Sequence, residues 1–221
     1  MKREIIITSD GSSTIHLPEW NEQYHSKHGA IQEAIHVFIN SGLSLFSNQK
    51  INILEIGFGT GLNSFITYLE APKMNLEVNY VGIEAYPVIP EEIEKLNYVD
   101  ELKATEFKSV FNEMHLQDWE AKKEISTKFY LTKRKQFFNE IKVVNSFDLI
   151  YFDAFGARVQ PELWTEEIFK IMFDALKTGG VLVTYSAKGS VRRAMQSVGF
   201  LVEKLPGPPG KREMLRAKKV I

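Results

Sequence analysis

Three glycines at alternate positions form the stretch of this sequence most suited to chemistry, Glu-Ile-Gly-Phe-Gly-Thr-Gly. They are Gly57, Gly59 and Gly61, and the carboxylate of Glu55 lies two positions before the first of them. Glycine accepts positive φ and has no side chain, so a ligand can lie close to the backbone of such a turn. A helical pattern follows at once, and a helix start offers unpaired N–H groups and the positive end of a dipole. The stretch therefore predicts a ligand-binding turn between a strand and a helix.

The spacing of these glycines indicates which kind of ligand the turn accepts. G-x-G-x-G differs from the G-x-G-x-x-G fingerprint of dinucleotide-binding folds. With an acid in front, it suits a ligand that brings an amine and a carboxylate to the loop, and S-adenosylmethionine is such a ligand. A glycine-rich turn that serves only strand–helix packing is the alternative.

Two further acids follow apolar runs that are typical of buried strands. Glu84 ends the run 78–84, and Asp153 comes directly after the run 147–152. Because ligands of open α/β sheets bind at the carboxyl ends of the strands, both acids should converge with the glycine turn on one crevice. A carboxylate at the end of the second strand of such a unit can accept hydrogen bonds from both hydroxyls of an adenosine ribose. This is the predicted role of Glu84.

The elements that must position these residues alternate between strands and helices. Such alternation predicts an α/β fold with a mostly parallel sheet and right-handed crossovers. The stretch 106–123 is ambiguous and mostly helical in pattern. Predicted strands lie within 3–8, 14–17, 51–56, 78–85, 127–138, 147–152, 181–186, 200–205 and 212–219, and predicted helices within 30–45, 62–69, 90–103, 161–176 and 190–198.

The composition limits the class of protein. A chain of 221 residues that is 44% hydrophobic can bury the core of one large domain. The absence of cysteine excludes disulfides and thiolate metal sites. No apolar run is long enough for a signal peptide or a membrane span. We therefore expect a cytoplasmic protein without a membrane partner; no pattern in the sequence indicates its oligomeric state.

The charges are unevenly distributed along the chain. The net charge is −1, yet residues 181–221 contain nine lysines and arginines and only two acids. A basic section of this kind permits a polyanion such as RNA as partner. A solvated basic edge is the alternative.

The stretch 20–29 is polar and aromatic, without a clear period, and contains Tyr24, His25 and His28. No carboxylate or cysteine spacing accompanies these histidines, so no metal site is predicted. A loop that folds over a pocket is the better interpretation.

Several stretches outside the glycine turn carry a resemblance to a known family. They are Asp10-Gly11-Ser12, the segment from 24 to 38, Glu55 through Asn63, 152–155 with 161–164, 189–193 with 199–200, and 206–215. With the order of elements, they resemble the Rossmann-like class I methyltransferases, and among these the methyltransferase part of the MnmC and MnmD family of tRNA-modification enzymes. The match spans nearly the whole chain.

The resemblance implies a fold and a reaction. The fold is a seven-stranded, mostly parallel sheet with an antiparallel last strand, formed by residues 47–221, after an N-terminal hairpin and helical extension in residues 1–46. The reaction transfers a methyl group from S-adenosylmethionine to the amine of 5-aminomethyl-2-thiouridine at the tRNA wobble position. The bifunctional members carry an FAD-dependent oxidase domain, which this sequence lacks, so we expect the methyltransferase activity alone.

The chemistry of this reaction suggests a role for Asp153. The sulfonium already activates the methyl group, so the protein mainly aligns donor and acceptor. The acceptor amine must be neutral to attack, although alkylamines are mostly protonated near neutral pH. A carboxylate can hold the ammonium, orient it and take up its proton. We expect Asp153 to do so; the alternative is that it only binds cofactor or caps a helix.

The remaining site residues follow from the resemblance together with their positions. Adenine is often held by an acid at the end of the third strand, but here Gln136 occupies the expected position, with Asp118 or Asn139 as alternatives. For the basic residues, simple surface charge is the alternative to phosphate binding. The expected contacts are Glu55, Gly57, Gly59, Gly61, Asn63, Glu84, Gln136 and Tyr24 for the cofactor, Phe155 for the pocket wall, and Lys188, Arg192, Arg193, Lys211 and Arg212 for tRNA phosphates.

Two other functions are compatible with the same sequence. The first is a class I methyltransferase that acts on another amine, in a small molecule or a protein. The second is a non-catalytic module that binds RNA or a nucleoside. Asp153 and an intact glycine turn argue against the second function, and the basic C-terminal section weakly favours RNA over a small molecule.

Overall fold

The computed structural model describes residues 2–220, in which the largest unit is an eight-stranded sheet. Its strand order is β10-β11-β9-β8-β4-β5-β7-β6. The five strands from β9 to β7 run parallel, whereas β11 is antiparallel to both of its neighbours and β6 is antiparallel to β7. The strands are β1 Glu4–Ile7, β2 Ser13–Leu17, β3 Glu22–Gln23, β4 Lys50–Ile56, β5 Glu77–Ile83, β6 Lys122–Ser126, β7 Phe129–Arg134, β8 Phe147–Phe152, β9 Leu176–Thr184, β10 Leu201–Pro206 and β11 Glu213–Lys218.

Helices connect the parallel strands and cover both faces of the sheet. Across residues 2–220, no helix is both long and apolar enough to span a bilayer. The predicted segments 1–46 and 47–221 begin at Met1 and end at Ile221, and these two terminal residues lie outside the described residues. The α-helices are α1 Ala30–Ala34, α2 Leu62–Glu70, α3 Pro90–Ile93, α4 Tyr98–Glu101, α5 Lys108–Leu116, α6 Glu166–Ala175 and α7 Gly189–Ser197.

The strands at the centre of the sheet, β4 and β8, are buried on both faces. Consecutive side chains of β4 enter different hydrophobic clusters, with Ile53 in one and Leu54 in the other. A parallel sheet covered by helices on both sides requires such continuous apolar strands. The last residues of β4 and β8 pair with one another, so Gly57 and Asp153, which follow them, lie side by side at one edge.

The N-terminal residues form a separate three-stranded sheet, in the order β1-β2-β3. The predicted hairpin is confirmed, because β1 and β2 pair in antiparallel register. Helix α1 continues as a π-helix over Ile35–Asn40, whose Val37 and Phe38 are buried in the same cluster as Ile51 of β4. The extension therefore packs against the main sheet, while the division of the chain between residues 46 and 47 stays a prediction.

The sheet has one strand more than the seven that were predicted. The additional strand, β6, pairs with β7 at the edge of the sheet. The ambiguous region 106–123 contains helix α5 only as far as Leu116. The first three residues of β6, Lys122 to Glu124, are charged and exposed. An edge strand of this kind shows no apolar alternation, so hydrophobic periodicity did not indicate it.

Strand β7 contains a lysine that is almost completely buried. Only 1% of Lys133 is exposed. Its Nζ donates a hydrogen bond to the main-chain oxygen of His115, near the end of α5, and lies 4.9 Å from the centre of the Trp119 ring. A cation at this end of a helix interacts favourably with the helix dipole. Burial nevertheless lowers the pKa of Lys133 to about 8, against the attraction of Asp118.

This burial makes a pH dependence of stability testable. Between pH 8 and 10.5, Lys133 is neutral in the folded chain and still protonated in the unfolded chain. The unfolded state then binds more protons, so the free energy of unfolding should rise with pH across this window. We expect Lys133→Met to remove this contribution, measured as the difference between the two proteins in urea denaturation at several pH values. Parallel pH profiles for the two proteins would contradict the lowered pKa.

Candidate functional site

The glycine turn lies between β4 and α2, as predicted, and fits closely against β8. All three glycines have left-handed backbone conformations, with φ of 88° at Gly57, 51° at Gly59 and 72° at Gly61. A Cβ on Gly57 would lie 2.7 Å from the main-chain oxygen of Asp153, and one on Gly59 would lie 3.1 Å from the Tyr24 ring. Glycine is therefore required at position 57 both for the backbone conformation and for the approach of the two strand ends.

Glu84, at the end of β5, holds the turn in place. Its Oε2 accepts a hydrogen bond from the main-chain N–H of Gly59 at 3.0 Å, and its Oε1 accepts one from Tyr86 at 2.8 Å. The carboxylate is thereby fixed beside the glycines. Its position agrees with the predicted contact to ribose hydroxyls, which stays a prediction.

A cavity of about 1230 Å³ opens at this edge of the sheet. It is larger than the roughly 300–1,000 Å³ that is usual for small-molecule sites, so it has room for a nucleoside-sized ligand and part of a second molecule. The predicted site residues that line it are Tyr24, Gly57, Gly59, Asn63, Glu84, Asp153 and Phe155. The predicted site residues outside its lining are Glu55, Gly61, Gln136, Lys188, Arg192, Arg193, Lys211 and Arg212.

Asn63, in the first turn of α2, joins two carboxyl groups. Its Nδ2 lies 2.9 Å from Oε1 of Glu55 and 2.9 Å from Oδ2 of Asp153. The amide thus uses both of its N–H donors. Glu55 itself is completely buried, and its Oε2 has no hydrogen-bond partner among residues 2–220. The sequence predicted a direct contact between Glu55 and the ligand, whereas Glu55 reaches the cavity only through Asn63.

Asp153 is partly exposed to the cavity, and its surroundings favour its protonated form. Burial raises the pKa of Asp153 to about 7, and the nearby carboxylate of Glu33 contributes to the increase. The hydrogen bond from Asn63 and the charge of Lys211 act in the opposite direction. A carboxyl group with a pKa near neutrality can both lose and accept a proton under ordinary conditions.

Aromatic rings form the wall of the cavity beside Asp153. The Phe155 ring meets the Tyr24 ring edge to face at 4.9 Å between centroids and the Trp20 ring at 5.7 Å. The indole Nε1 of Trp164 donates to the main-chain oxygen of Phe155, which fixes the loop after β8. The N-terminal extension and the loop after β8 therefore build this wall together, and Trp20 was not identified from the sequence.

The segment after β7 borders the cavity with residues one to four positions after the predicted Gln136. The residues that line it are Phe137, Phe138, Asn139 and Glu140, and Gln136 is not among them. A short helical turn over Phe138–Glu140 explains the difference, since Glu140 accepts a hydrogen bond from the N–H of Phe137 and closes the turn. Asn139, an alternative for the adenine contact, lies at the cavity.

Lys211 is held by other side chains, and its contact with a phosphate group stays a prediction. Its Nζ forms an ion pair with Glu33 and lies 4.0 Å from the centre of the Tyr185 ring. The hydroxyl of Tyr185 donates to the main-chain oxygen of Ala154, directly after Asp153. Of the other predicted phosphate contacts, Lys188, Arg193 and Arg212 are exposed and Arg192 is half-buried.

Two further residues near the cavity were not found by sequence reasoning. Glu33 lies on the buried face of α1 between Ala30 and Ala34, and an acid on an apolar helix face was a signal that could have identified it. Arg3 lines the cavity and donates hydrogen bonds to the main-chain oxygens of Tyr86, at 2.8 Å, and Pro87, at 3.1 Å. No motif marked Arg3.

Of the two histidines in the 20–29 stretch, His25 is buried and His28 is exposed. His25 is buried, and its Nδ1 lies 3.0 Å from the hydroxyl of Thr14. Burial lowers the pKa of His25 to about 4, so the ring is neutral. Within residues 2–220, no group of three or more histidine, cysteine or acidic side chains is arranged to hold a metal ion.

The tight approach at Gly57 leads to a prediction about ligand binding. In Gly57→Ala, the new Cβ should push the turn away from Asp153, in addition to straining the backbone. We expect the Kd for S-adenosylmethionine to rise at least about tenfold, the factor that corresponds to 1.4 kcal/mol.

Gly179→Ala is the matched control for this variant. Gly179 has a similar φ of 82°, but a Cβ there would have no neighbour within 4 Å. It should share the backbone strain, about 1–3 kcal/mol, and leave the Kd unchanged. Calorimetric titration measures the Kd of each variant. Equal Kd values for Gly57→Ala and the unaltered chain would refute the proposed role of the glycine turn in cofactor binding.

Known proteins are similar to this chain in sequence. The chain is 29% identical over 216 residues to the tRNA 5-methylaminomethyl-2-thiouridine biosynthesis bifunctional protein MnmC of Leptospira borgpetersenii, covering 90% of this chain and 32% of that protein. The protein of the same name from Cupriavidus metallidurans is 28% identical, with 97% and 34% covered. The chain thus spans about a third of the length of these curated relatives.

Solved structures give the same fold. The crystal structure of MNMC2 from Aquifex aeolicus aligns with a TM-score of 0.79 and 24% identity, over 98% of this chain and 70% of that one. Spermidine synthase from Thermotoga maritima aligns with a TM-score of 0.60 and 17% identity, over 97% of this chain and 67% of that one.

The model of a family described as S-adenosyl-L-methionine-dependent methyltransferase matches residues 97–220, which is more than half of the chain. This match includes Asp153, Phe155 and the antiparallel hairpin of β10 and β11. The chain belongs to this family of S-adenosyl-L-methionine-dependent methyltransferases.

Proposed function

We propose that this chain transfers a methyl group from S-adenosylmethionine to the amine of 5-aminomethyl-2-thiouridine at the wobble position of tRNA. The observation that carries the proposal is Asp153, a carboxyl group whose pKa burial raises to about 7, at a cavity that also contains the glycine turn. The names of the MnmC relatives support a tRNA substrate. Such a substrate would place the enzyme in the cytoplasm.

The residues around the glycine turn suit S-adenosylmethionine. The cofactor supplies a methyl group that is activated by its positively charged sulfur. The turn has a left-handed backbone, and the main-chain oxygen of Asp153 and the Tyr24 ring lie where side chains at positions 57 and 59 would be, so only glycine keeps this shape. We expect the amino-acid end of the cofactor to lie against this turn and Glu84 to accept hydrogen bonds from the ribose. Asn139 is our candidate for the contact to adenine, instead of Gln136.

Asp153 gives the acceptor amine a place to bind and a route for its proton. In its ionised form the carboxylate can attract an alkylammonium group, orient it and accept a proton directly or through water. Methyl transfer needs a neutral amine, so the loss of this proton must precede attack. The hydrogen bond from Asn63 leaves the second oxygen of Asp153 free of any side-chain partner in the described chain. That oxygen is the one we assign to the amine.

The aromatic wall suits a base that has left its stack. Enzymes that modify a nucleobase take it out of the stack, and aromatic side chains then stack on it, with about 1–3 kcal/mol per base. Phe155, Tyr24 and Trp20 lie together beside Asp153 and line the cavity. A wobble base lies in a single-stranded loop, so taking it out requires no base pair to open. The wall thus supports a nucleobase rather than a small aliphatic amine as the acceptor.

Exposed basic residues in the C-terminal section are candidates for contacts to tRNA. Lys188, Arg193 and Arg212 are exposed and are the candidates for contacts to phosphate groups. Lys211 remains a prediction apart from these three, because it is paired with Glu33. The role of the three exposed cations stays a proposal.

One assay tests the function. The protein is incubated with S-adenosylmethionine carrying a labelled methyl group and with tRNA from a strain blocked before this methylation, and the nucleosides are then analysed. We expect the label in 5-methylaminomethyl-2-thiouridine. Transfer to another amine would favour the first alternative function, and cofactor binding without any transfer would favour a non-catalytic module; either result rejects the proposal.

The pH dependence of the reaction tests the role of Asp153. Because its pKa is raised to about 7, kcat/KM should fall as the pH decreases through about 7, as the carboxylate becomes protonated. Asp153→Asn should lower kcat at least about 100-fold, keep cofactor binding and lose this acidic limb.

Glu33→Gln is the companion variant for the pH profile. It removes a negative charge that raises the pKa of Asp153, so the acidic limb should move to lower pH. A limb that stays near pH 7 in Asp153→Asn would assign it to another group.

A further inference from the structure

Glu55 lies directly behind the site, but it has no access to the cavity. It occupies β4 two residues before Gly57, is 0% exposed and does not line the cavity. Its Oε1 accepts the hydrogen bond from Asn63 at 2.9 Å. Its Oε2 is buried without a partner among residues 2–220. Neither oxygen is therefore open to the cavity.

The surroundings of Glu55 contain no positive charge to balance an ionised carboxylate. Across residues 2–220, no lysine, arginine or histidine forms an ion pair with it. The groups that affect it are the neutral Asn63 amide and Tyr80 hydroxyl and the carboxyl groups of Asp153 and Glu84. An isolated charge is costly in such a place, and a protonated acid is not.

The titration behaviour agrees with this geometry. Burial raises the pKa of Glu55 well above its usual range, and the charges of Asp153 and Glu84 raise it further, against the hydrogen bond from Asn63 and the nearby hydroxyl of Tyr80. The hydroxyl of Tyr80 is itself buried without a geometric hydrogen-bond partner. A proton on Oε2 would let Glu55 donate toward this hydroxyl while Oε1 still accepts from Asn63.

The hydrogen bonds give Glu55 a connection to the reacting group. The Asn63 amide has two N–H donors; one is directed to Glu55 and the other to Asp153. The first bond determines the rotation of the amide and hence the direction of the second. We propose that Glu55 is a neutral positioning residue, which acts through Asn63 to orient the carboxylate of Asp153, and that it does not bind the cofactor. This inference rests on the proposed function insofar as Asp153 holds the acceptor amine.

A set of variants separates positioning from cofactor binding. Glu55→Gln keeps an oxygen for Asn63 and a donor for Tyr80, whereas Glu55→Ala leaves the amide without a partner. We expect kcat for methylation of tRNA to fall about 10–100-fold in Glu55→Ala, as misplacement of a reacting group by about 1 Å can do, and to be restored largely by Glu55→Gln. The KM and the calorimetric Kd for S-adenosylmethionine should change less than threefold in Glu55→Gln, near the limit set by about 0.6 kcal/mol.

A double-mutant cycle tests whether the effect passes through Asn63. If it does, adding Glu55→Ala to Asn63→Ala should lower kcat no further. Multiplicative losses would overturn the proposal, as would a loss of cofactor affinity in Glu55→Gln equal to that in Glu55→Ala. If the alanine variants do not fold, the Kd for S-adenosylmethionine of Glu55→Gln, compared with that of the unaltered enzyme, still tests whether Glu55 binds the cofactor.

The protonation of Glu55 has a readout that needs no turnover. The infrared difference spectrum between the unaltered protein and Glu55→Gln should contain the carbonyl band of a protonated, buried carboxylic acid at neutral pH. A carboxylate band instead would overturn the proposal. If the unaltered chain methylates no tRNA, the proposed function fails. The infrared band then still tests whether Glu55 is neutral, and the Kd for S-adenosylmethionine still tests whether Glu55 binds the cofactor.

Discussion

The contact between the glycine turn and the end of β8 is the constraint on which the rest of the site depends. The two central strands end side by side, and the main-chain oxygen of Asp153 occupies the space that a side chain at position 57 would need. This close approach lets the first turn of α2 bring Asn63 within hydrogen-bond distance of Asp153. A larger separation of the strand ends would break that bond and at the same time move the glycine turn away from Asp153. The proposed cofactor site and the proposed acceptor site are thus joined by one backbone contact.

Three carboxyl groups lie within this small region, and their surroundings give them different properties. Glu84 accepts two hydrogen bonds from main-chain N–H groups, which fix it beside the glycine turn. Glu55 is buried without a cation and favours the neutral form. Asp153 has a pKa raised to about 7, because burial and Glu33 outweigh Asn63 and Lys211. In the proposed mechanism, the same functional group serves for ligand binding, for orientation and for proton transfer, according to its depth and neighbours.

Much of this arrangement could be predicted from the sequence, because apolar runs and glycines carry strong local signals. The runs before Gly57, Glu84 and Asp153 predicted buried parallel strands, and the rule that ligands bind at strand ends brought the three together. Edge strand β6 was missed because its exposed, charged residues have no apolar period. Gln136 was preferred to Asn139 because strand ends are uncertain by a few residues, and one helical turn changes which side chain faces the cavity.

Long-range contacts were the second limit of the sequence prediction. Lys211 was expected to bind phosphate as one of several cations, yet its partner Glu33 comes from the other end of the chain. Trp20 and Arg3 were not identified from the sequence for the same reason, because they reach the cavity from the N-terminal extension. Direct contact of Glu55 with a ligand was inferred from its distance to the glycines along the chain, and only the fold reveals that Asn63 lies between.

The ion pair between Glu33 and Lys211 joins residues that are 178 positions apart. The β4–α2–β5 unit, with its glycine turn and Glu84, is local in sequence and can form early, whereas the Glu33–Lys211 pair that acts on Asp153 requires both ends of the chain to be in place. Closing so long a loop carries an entropic cost that nearby contacts do not. During folding, the chain should therefore form the proposed site for S-adenosylmethionine before the proposed site for the acceptor amine. Occupancy by S-adenosylmethionine would then report that the central strands have formed, without reporting that the enzyme is complete.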